Sequence, residues 1–337
     1  MTEFKPYLFA LAEGDPLSRD EAREAFALIL QGHATPVQLS AFLMGLRLRG
    51  ETVEEIVGAA QAMRAAMTPV SAPADAIDIV GTGGDGAGTF NISTLASIIV
   101  AACGVRVAKH GGKAASSLSG ASDVLDQLGV RVGVDAAASA RCLADAGICF
   151  MASPAHHPAM RFAAPVRSEL GVRTIFNMLG PICNPAGVTR QVVGVFSRRW
   201  LEPLAQALAE LGSQRVWLLH GSDGLDEATT TTTTCVVSLQ DGAIRSFQIS
   251  PEDAGLPRCE PQALVGGDPA HNAAALRRVL DGERGAYRDI AVLNAAAALI
   301  VAEKAATLRE GAALATQALD SGRARETLAA LIRVSNA

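Results

Sequence analysis

The sequence predicts an α/β protein in two parts: a small all-helical N-terminal domain over residues 1–70, and a larger α/β domain over residues 76–337 with a central sheet covered by helices. Three observations carry that expectation. Helix-start signatures recur three times within the first sixty residues. From Ala76 the pattern changes to short β-rich runs alternating with helical stretches, as strands and crossover helices require. Between the two regions, Pro69 and Ser71-Ala72-Pro73-Ala74 read as a linker.

The helix starts are capping boxes: Ser18 with Glu21, Thr35 with Gln38, and Thr52 with Glu55. In each, the hydroxyl accepts the N–H three residues on while the later side chain reaches back. Pro36 occupies a first helical position, and Gly32 and Gly50 follow two helix ends. Leu39, Phe42, Leu43 and Leu46 form one apolar face, and Ile56, Ala60, Met63 and Met67 another.

Strands are expected at Ala76–Val80, Val105–Ala108, Ile148–Ala152, Gln191–Phe196 and Arg215–His220. Helices are expected over Ser93–Gly104, from about Trp200, and through the Ala-rich C-terminal third from about Asp289. The run Thr229–Thr234 reads as a strand entrance, since Thr favours strands. No internal repeat is found.

Composition narrows the class. Of 337 residues, 49% are hydrophobic and 19% charged, which fits a globular chain and excludes a disordered one. The start Met1-Thr2-Glu3-Phe4-Lys5-Pro6 lacks a signal-peptide pattern, and the apolar run Ala96–Val105 is too short to span a bilayer. A soluble cytoplasmic protein with no membrane partner is expected. The six cysteines are scattered with no Cys-x-x-Cys pair, so they read as idle thiols. The net charge is −5 with no basic block, which argues against a nucleic-acid partner. An acidic protein that takes a polyanionic substrate needs cations to hold it.

The most informative segment is Asp78-Ile79-Val80-Gly81-Thr82-Gly83-Gly84-Asp85, continuing through Thr89, Asn91, Ile92, Ser93 and Thr94. It follows a strand and opens a helix, where free N–H groups and close backbone approach favour a phosphate. Gly81, Gly83 and Gly86 also satisfy the dinucleotide fingerprint. That fingerprint expects an acid about 20 residues on, whereas this chain has Lys109-His110 after its second strand. A cation there suits a second phosphate. The loop running from Lys109 through Gly112 and Lys113 to Ser116 and Ser117 is that second phosphate-friendly element. A third element, Asp226-Glu227, follows the strand Arg215–His220. Adjacent carboxylates there call for a cation, and magnesium takes one or two carboxylates with water and substrate phosphates.

Together these segments resemble the anthranilate phosphoribosyltransferase family, of the nucleoside phosphorylase-like kind. The resemblance is carried in order by Gly81–Asp85, Asn91-Ile92-Ser93-Thr94, Lys109-His110-Gly111, His157-Pro158-Ala159-Met160 and Val166-Arg167. It continues through Gly171–Asn177, Leu179-Gly180-Pro181 and Asp223–Glu227, and so covers most of the chain. It implies a homodimer through the helical domain, a segment around 158–185 joining that domain, and a site between the two domains. It implies that Gly81, Gly84, Asp85, Thr89, Asn91, Ile92, Ser93, Thr94, Lys109 and Ser117 contact phosphoribosyl pyrophosphate. Ser93, Asp226 and Glu227 would hold Mg²⁺, as two ions. Gly81, His110, Gly112, His157, Pro158 and Arg167 would meet anthranilate, with the Arg167 guanidinium suited to its carboxylate. The family's usual Asn-Arg after Lys-His-Gly is here Gly112-Lys113, which bears on acceptor binding.

The implied chemistry is displacement of pyrophosphate at the ribose anomeric carbon by an aromatic amine. That amine is neutral at pH 7 and needs no strong base, and no residue is assigned a covalent or acid–base role. The alternatives are the same chemistry on another aromatic amine, a pyrimidine nucleoside phosphorylase, and a non-catalytic nucleic-acid binder. The phosphorylase would need no Asp-Glu magnesium pair. The nucleic-acid binder would show a basic groove and a degraded glycine turn.

Overall fold

The computed structural model describes residues 3–113 and 118–337. Four helices open the chain: α1 (Lys5–Glu13), α2 (Arg19–Leu30), α3 (Pro36–Arg49) and α4 (Val53–Ala66). All three capping boxes form, at the starts of α2, α3 and α4. The predicted apolar face of α3 is buried, as are Ile56, Ala60 and Met63 of α4. The third box does more than cap. Glu55 is fully buried, and it accepts from the N–H groups of Leu17 at 2.9 Å and Thr52 at 2.8 Å and from the Arg49 guanidinium at 2.6 Å. One carboxylate thereby joins the approach to α2, the end of α3 and the start of α4.

Among the described residues the sheet has seven strands: β1 (Ile77–Gly81), β2 (Val107–Gly111), β3 (Ile148–Ala152), β4 (Arg190–Gly194), β5 (Arg215–Gly221), β6 (Thr234–Gln240) and β7 (Ala243–Ile249). Their order is β3-β2-β1-β4-β5-β6-β7. The first five are parallel, and β6 and β7 run antiparallel. Strand order reverses at β1, because β2 and β3 build outward on one side of it and β4 and β5 on the other. Such a switch point opens a crevice at the carboxyl ends of the strands.

One of the sequence expectations shifts. β2 begins two residues later than expected and runs to Gly111, so Lys109, His110 and Gly111 belong to a strand, not a loop. Parallel pairing with β3 fixes this, with Lys109 opposite Phe150 and His110 opposite Met151. The β6–β7 hairpin, absent from the sequence expectations, turns at the dipeptide Asp241-Gly242. Both residues have positive φ, 51° and 80°, as the tight turn matching strand twist demands.

Alternation along the strands builds two cores. Ile79, Val192, Leu219 and Val236 face the C-terminal helices and helix α5 (Ile92–Ala102). Val80, Val193, Leu218 and Val237 face the other way, into a core shared with α2, α3, α4 and helix Leu201–Glu210. Helices Ala164–Leu170 and Ile175–Ile182 join that second core, where Phe176 meets Phe26 edge-on at 5.5 Å.

Removing the Glu55 carboxylate leaves the largely buried Arg49 guanidinium and two N–H groups without their acceptor. Glu55→Ala is expected to cost about 3–5 kcal/mol in urea unfolding. Glu54→Ala, which removes an exposed partner of Arg19, is expected to cost under about 1 kcal/mol.

Candidate active site

The crevice at the switch point is built on three glycines and one acidic loop. Gly81 and Gly194 sit opposite each other at the ends of β1 and β4. A Cβ on Gly194 would lie 1.5 Å from the Asp226 carbonyl oxygen, and one on Gly81 would lie 2.6 Å from the Asp226 carboxylate. Both strands must therefore end in glycine for this loop to approach. Asp226 then accepts the N–H of Gly83 at 2.7 Å. Asn294, fully buried on helix Ala286–Val301, clamps the next residues by accepting from the Ala228 N–H at 2.9 Å and donating to the Ala228 carbonyl at 2.8 Å.

Beside this loop lies a buried charge cluster. The Lys109 ammonium donates to the Ile79 carbonyl at 2.6 Å and the Ser93 hydroxyl at 3.2 Å. Burial lowers its pKa, while Asp78, Glu227 and Asp226 oppose that fall. Asp78 is fully buried, and it accepts from the Asn184 amide at 2.7 Å and the His110 N–H at 3.2 Å. Desolvation raises Asp78 to about 6, against the pull of Lys109. Glu227 is pushed up to about 7, first by burial and then by Asp85, while Lys109 and hydrogen bonds from Ser93 pull it down. Asp226 is raised by burial and by repulsion from Asp85 and Glu227.

Repulsion among these acids is the fit test for a divalent cation. Asp85, Asp226 and Glu227 face one another with Lys109 as the nearby ammonium. Their oxygen donors, with the Ser93 hydroxyl, suit a hard ion. No group of three or more His, Cys, Asp or Glu among the described residues is placed to hold a metal by itself. Magnesium, which completes its shell with water and substrate oxygens, matches that donor set.

The glycine turn arches over the cluster. Gly83, Gly84, Gly86 and Gly88 all have positive φ, which the sequence supplies at no steric cost. Arg173 donates to the Gly84 carbonyl at 2.5 Å and stacks over Phe196 at 4.8 Å, tying the turn to the segment before helix Ile175–Ile182. Thr89 bridges Val265. The Asn91 side chain is committed to Ser119 and to Asn272, and Tyr287 donates to the Asn91 carbonyl at 3.2 Å. Ile92 puts its side chain in the core. Thr94 is buried with its hydroxyl unpartnered among the described residues.

Alternation along β2 sends Lys109 toward α5 and its neighbour His110 toward the helical side of the sheet. His110 lies between the Gly180 carbonyl at 3.1 Å and the Ser153 hydroxyl at 3.1 Å, with the His157 ring 5.0 Å away. Burial drops His110 to about 3 and His157 to about 4, so both are neutral at pH 7. Pro158 is exposed beside them. Arg167, on helix Ala164–Leu170, lies over Phe176 at 5.0 Å. Desolvation lowers its pKa, and its charge meets no carboxylate among the described residues. A half-buried guanidinium of that kind suits a ligand carboxylate.

The structure thus brings Gly81, Asp85, Ser93, Lys109, Asp226 and Glu227 together, and sets His110, Gly112 and His157 on the opposite side of β2. Ser117 lies outside the described residues. Ser153, Asn184 and Asn294 escaped the sequence reading; Asp78 and Arg173 were noted only as parts of motifs. The Thr run is also partly reassigned. Thr234 opens β6, but Thr229 and Thr231 donate to the Asp223 carboxylate at 2.6 and 2.5 Å, closing the acidic loop on itself.

Comparison with known proteins agrees with this geometry. Residues 5–67 match the helical bundle domain of a glycosyl transferase family, and residues 73–325 match its α/β domain. The anthranilate phosphoribosyltransferase of Methylocella silvestris is 63% identical over 336 residues, spanning 100% of this chain and 96% of that protein. That of Rhodopseudomonas palustris is 59% identical over the full length of both. Among solved structures, the anthranilate phosphoribosyltransferase of Thermus thermophilus superposes with a TM-score of 0.93 at 42% identity, covering 98% of this chain and 99% of that one. The Saccharomyces cerevisiae enzyme in complex with phosphoribosyl pyrophosphate and Mg superposes at 0.91 with 30% identity, covering 99% and 98%.

Gly194→Ala drives a methyl group into the Asp226 backbone, which no rotamer change relieves. The substitution is expected to cost at least about 1–3 kcal/mol, read by urea unfolding. Unchanged stability would mean that the acidic loop moves freely away from β4.

Proposed function

We propose, from the premise that the chain belongs to the anthranilate phosphoribosyltransferase family, that it transfers the 5-phosphoribosyl group of phosphoribosyl pyrophosphate to the amine of anthranilate. Pyrophosphate is released, and the reaction serves tryptophan biosynthesis. The observation that carries this reading is the cluster of Asp226, Glu227, Ser93 and Lys109 beneath a glycine turn at the switch point. A sugar bearing a diphosphate and a monophosphate needs both close backbone approach and oxygen donors for a hard cation.

In this reading Gly81, Gly84, Asp85, Thr89, Ser93, Thr94 and Lys109 receive phosphoribosyl pyrophosphate. Asn91 and Ile92 shape the turn, since their side chains are engaged with Ser119 and Asn272 or buried. Ser117 belongs to the same set by its place in the motif. Ser93, Asp226 and Glu227 hold Mg²⁺, as two ions, which supplies positive charge for the leaving pyrophosphate. Lys109 holds its ammonium against burial and adds to that field. On the helical side, Arg167 takes the anthranilate carboxylate, with Gly81, Gly112, His110, His157 and Pro158 lining the approach. The aromatic amine attacks with its own lone pair. Rate enhancement comes chiefly from positioning and preorganised charge.

The chain forms a homodimer through its helical domain in this proposal. Its support is an exposed apolar stripe on α3, with Val37 79% and Leu48 80% exposed, and Phe9 of α1 at 68%. A lone domain rarely leaves such large side chains in water together. The proposed location is the cytoplasm; no helix among the described residues is long and apolar enough to cross a membrane.

Loss of anthranilate fluorescence with matched pyrophosphate release, both requiring Mg²⁺, is the expected result. Pyrophosphate release without anthranilate loss would move the activity to another acceptor. Asp226→Asn with Glu227→Gln is expected to lower kcat/KM by at least about 100-fold without unfolding the protein. Retained activity would remove the metal-binding role. Val37→Glu with Leu48→Glu is expected to convert a dimer to a monomer in sedimentation velocity, and an unchanged dimer would discard that interface.

A further inference from the structure

Ser153 stands between His110 and Gly111 on the acceptor side of β2. It is the first residue of helix Ser153–His156, directly after β3. Its hydroxyl lies 3.1 Å from His110 Nε2 and 3.0 Å from the Gly111 carbonyl. Its own carbonyl accepts the His157 N–H at 2.8 Å. Its hydroxyl therefore holds the His110 imidazole, and its carbonyl holds the backbone of the residue that carries the second ring.

The protons can be counted. His110 Nδ1 faces the Gly180 carbonyl at 3.1 Å, which only accepts, so Nδ1 carries the hydrogen. His110 Nε2 is then a bare lone pair. The Ser153 hydroxyl has one proton and two acceptors in reach, Nε2 and the Gly111 carbonyl. It can donate to only one of them at a time. His157 repeats the pattern: its hydrogen bond goes to the Cys183 carbonyl, and its Nε2 is buried without a partner among the described residues. With His157 only 4% exposed, such a lone pair is costly to leave unfilled. The acceptor side is thus short of N–H donors, and an aromatic amine brings two.

Gly112 adds the second half. It bears no side chain, and among the described residues a Cβ placed there would meet only the Ser153 side chain, Oγ at 3.6 Å and Cβ at 3.9 Å. Those are ordinary contacts, so a side chain can start from 112 without a clash at its Cβ, beside the Ser153 hydroxyl. We propose that Ser153 is a positioning residue for the acceptor amine: its hydroxyl holds the His110 ring in place and keeps an oxygen lone pair for an amine N–H at the position beside the bare Gly112. This rests on the transferase reading above.

The test is a cycle of four proteins: the wild type, Ser153→Ala, Gly112→Asn and the double variant. Each is assayed with anthranilate and phosphoribosyl pyrophosphate varied separately. Ser153→Ala is expected to lower kcat/KM for anthranilate about threefold to tenfold, as for one lost hydrogen bond, while KM for phosphoribosyl pyrophosphate stays within about twofold. In the Gly112→Asn background the same change is expected to cost less, because an amide then stands beside the vacated position. An unchanged kcat/KM for anthranilate overturns the proposal. So does an equal loss toward both substrates with a lowered melting temperature, which is what a merely structural role produces. Strictly multiplicative effects in the double variant remove the link to Gly112. A wild type that never consumes anthranilate removes the transferase reading and this inference together, so the two failures are told apart.

Discussion

The close approach of the Asp226 backbone to the ends of β1 and β4 is the constraint on which the site depends. A methyl group on Gly194 would overlap the Asp226 carbonyl oxygen. Only because both strands end without side chains can the loop after β5 cross the switch point and bring two carboxylates under the glycine turn. Asn294 from behind and the Asp223–threonine knot from the side then hold the loop's path. The local structure is expensive. It buries acids that repel one another and raises Asp226 and Glu227 out of the usual carboxylate range. Such strain is expected at a functional site and is out of place in a merely structural turn.

The sheet divides the chemistry. Adjacent residues on one strand point to opposite faces, so Lys109 joins the acids while His110 joins the imidazole pair and, beyond it, the helical side. A phosphate-loving surface and an apolar, donor-poor surface are thereby separated by the thickness of one backbone. Asp78 links them from beneath, since it accepts the His110 N–H and compensates the Lys109 charge. The helical segment contributes at two points: Arg167 offers a guanidinium with no carboxylate partner among the described residues, and Arg173 reaches across to the glycine turn. The second core runs without a break from the N-terminal helices onto one sheet face. The two parts therefore share packing.

Legibility in the sequence followed the range of the interaction. Capping boxes are contacts three residues apart, and all three form as read. The glycine turn, the opening of α5 and the acid pair were legible because each is a short motif whose chemistry is complete within a few residues. Ser153, Asn184 and Asn294 were not, since each matters only through a partner 42 or more residues away. Nothing in the segment Met151-Ala152-Ser153-Pro154 marks its serine as the neighbour of a histidine on another strand. The β6–β7 hairpin is a different case, because its Asp-Gly signal was present and local.

By itself, then, the amino-acid sequence determined the inventory: a helical start, alternating strands and helices, a backbone able to meet phosphate and paired acids for a hard cation. These follow from local sterics, hydrogen-bonding reach and charge, which short stretches carry intact. Tertiary structure alone decided which groups face each other. It set Lys109 and His110 on opposite faces, drew Asp226 against Gly81 and Gly194, left His157 Nε2 without a partner among the described residues, and set Ser153 against the His110 imidazole. Those outcomes depend on strand order and register, and register is a property of the whole sheet.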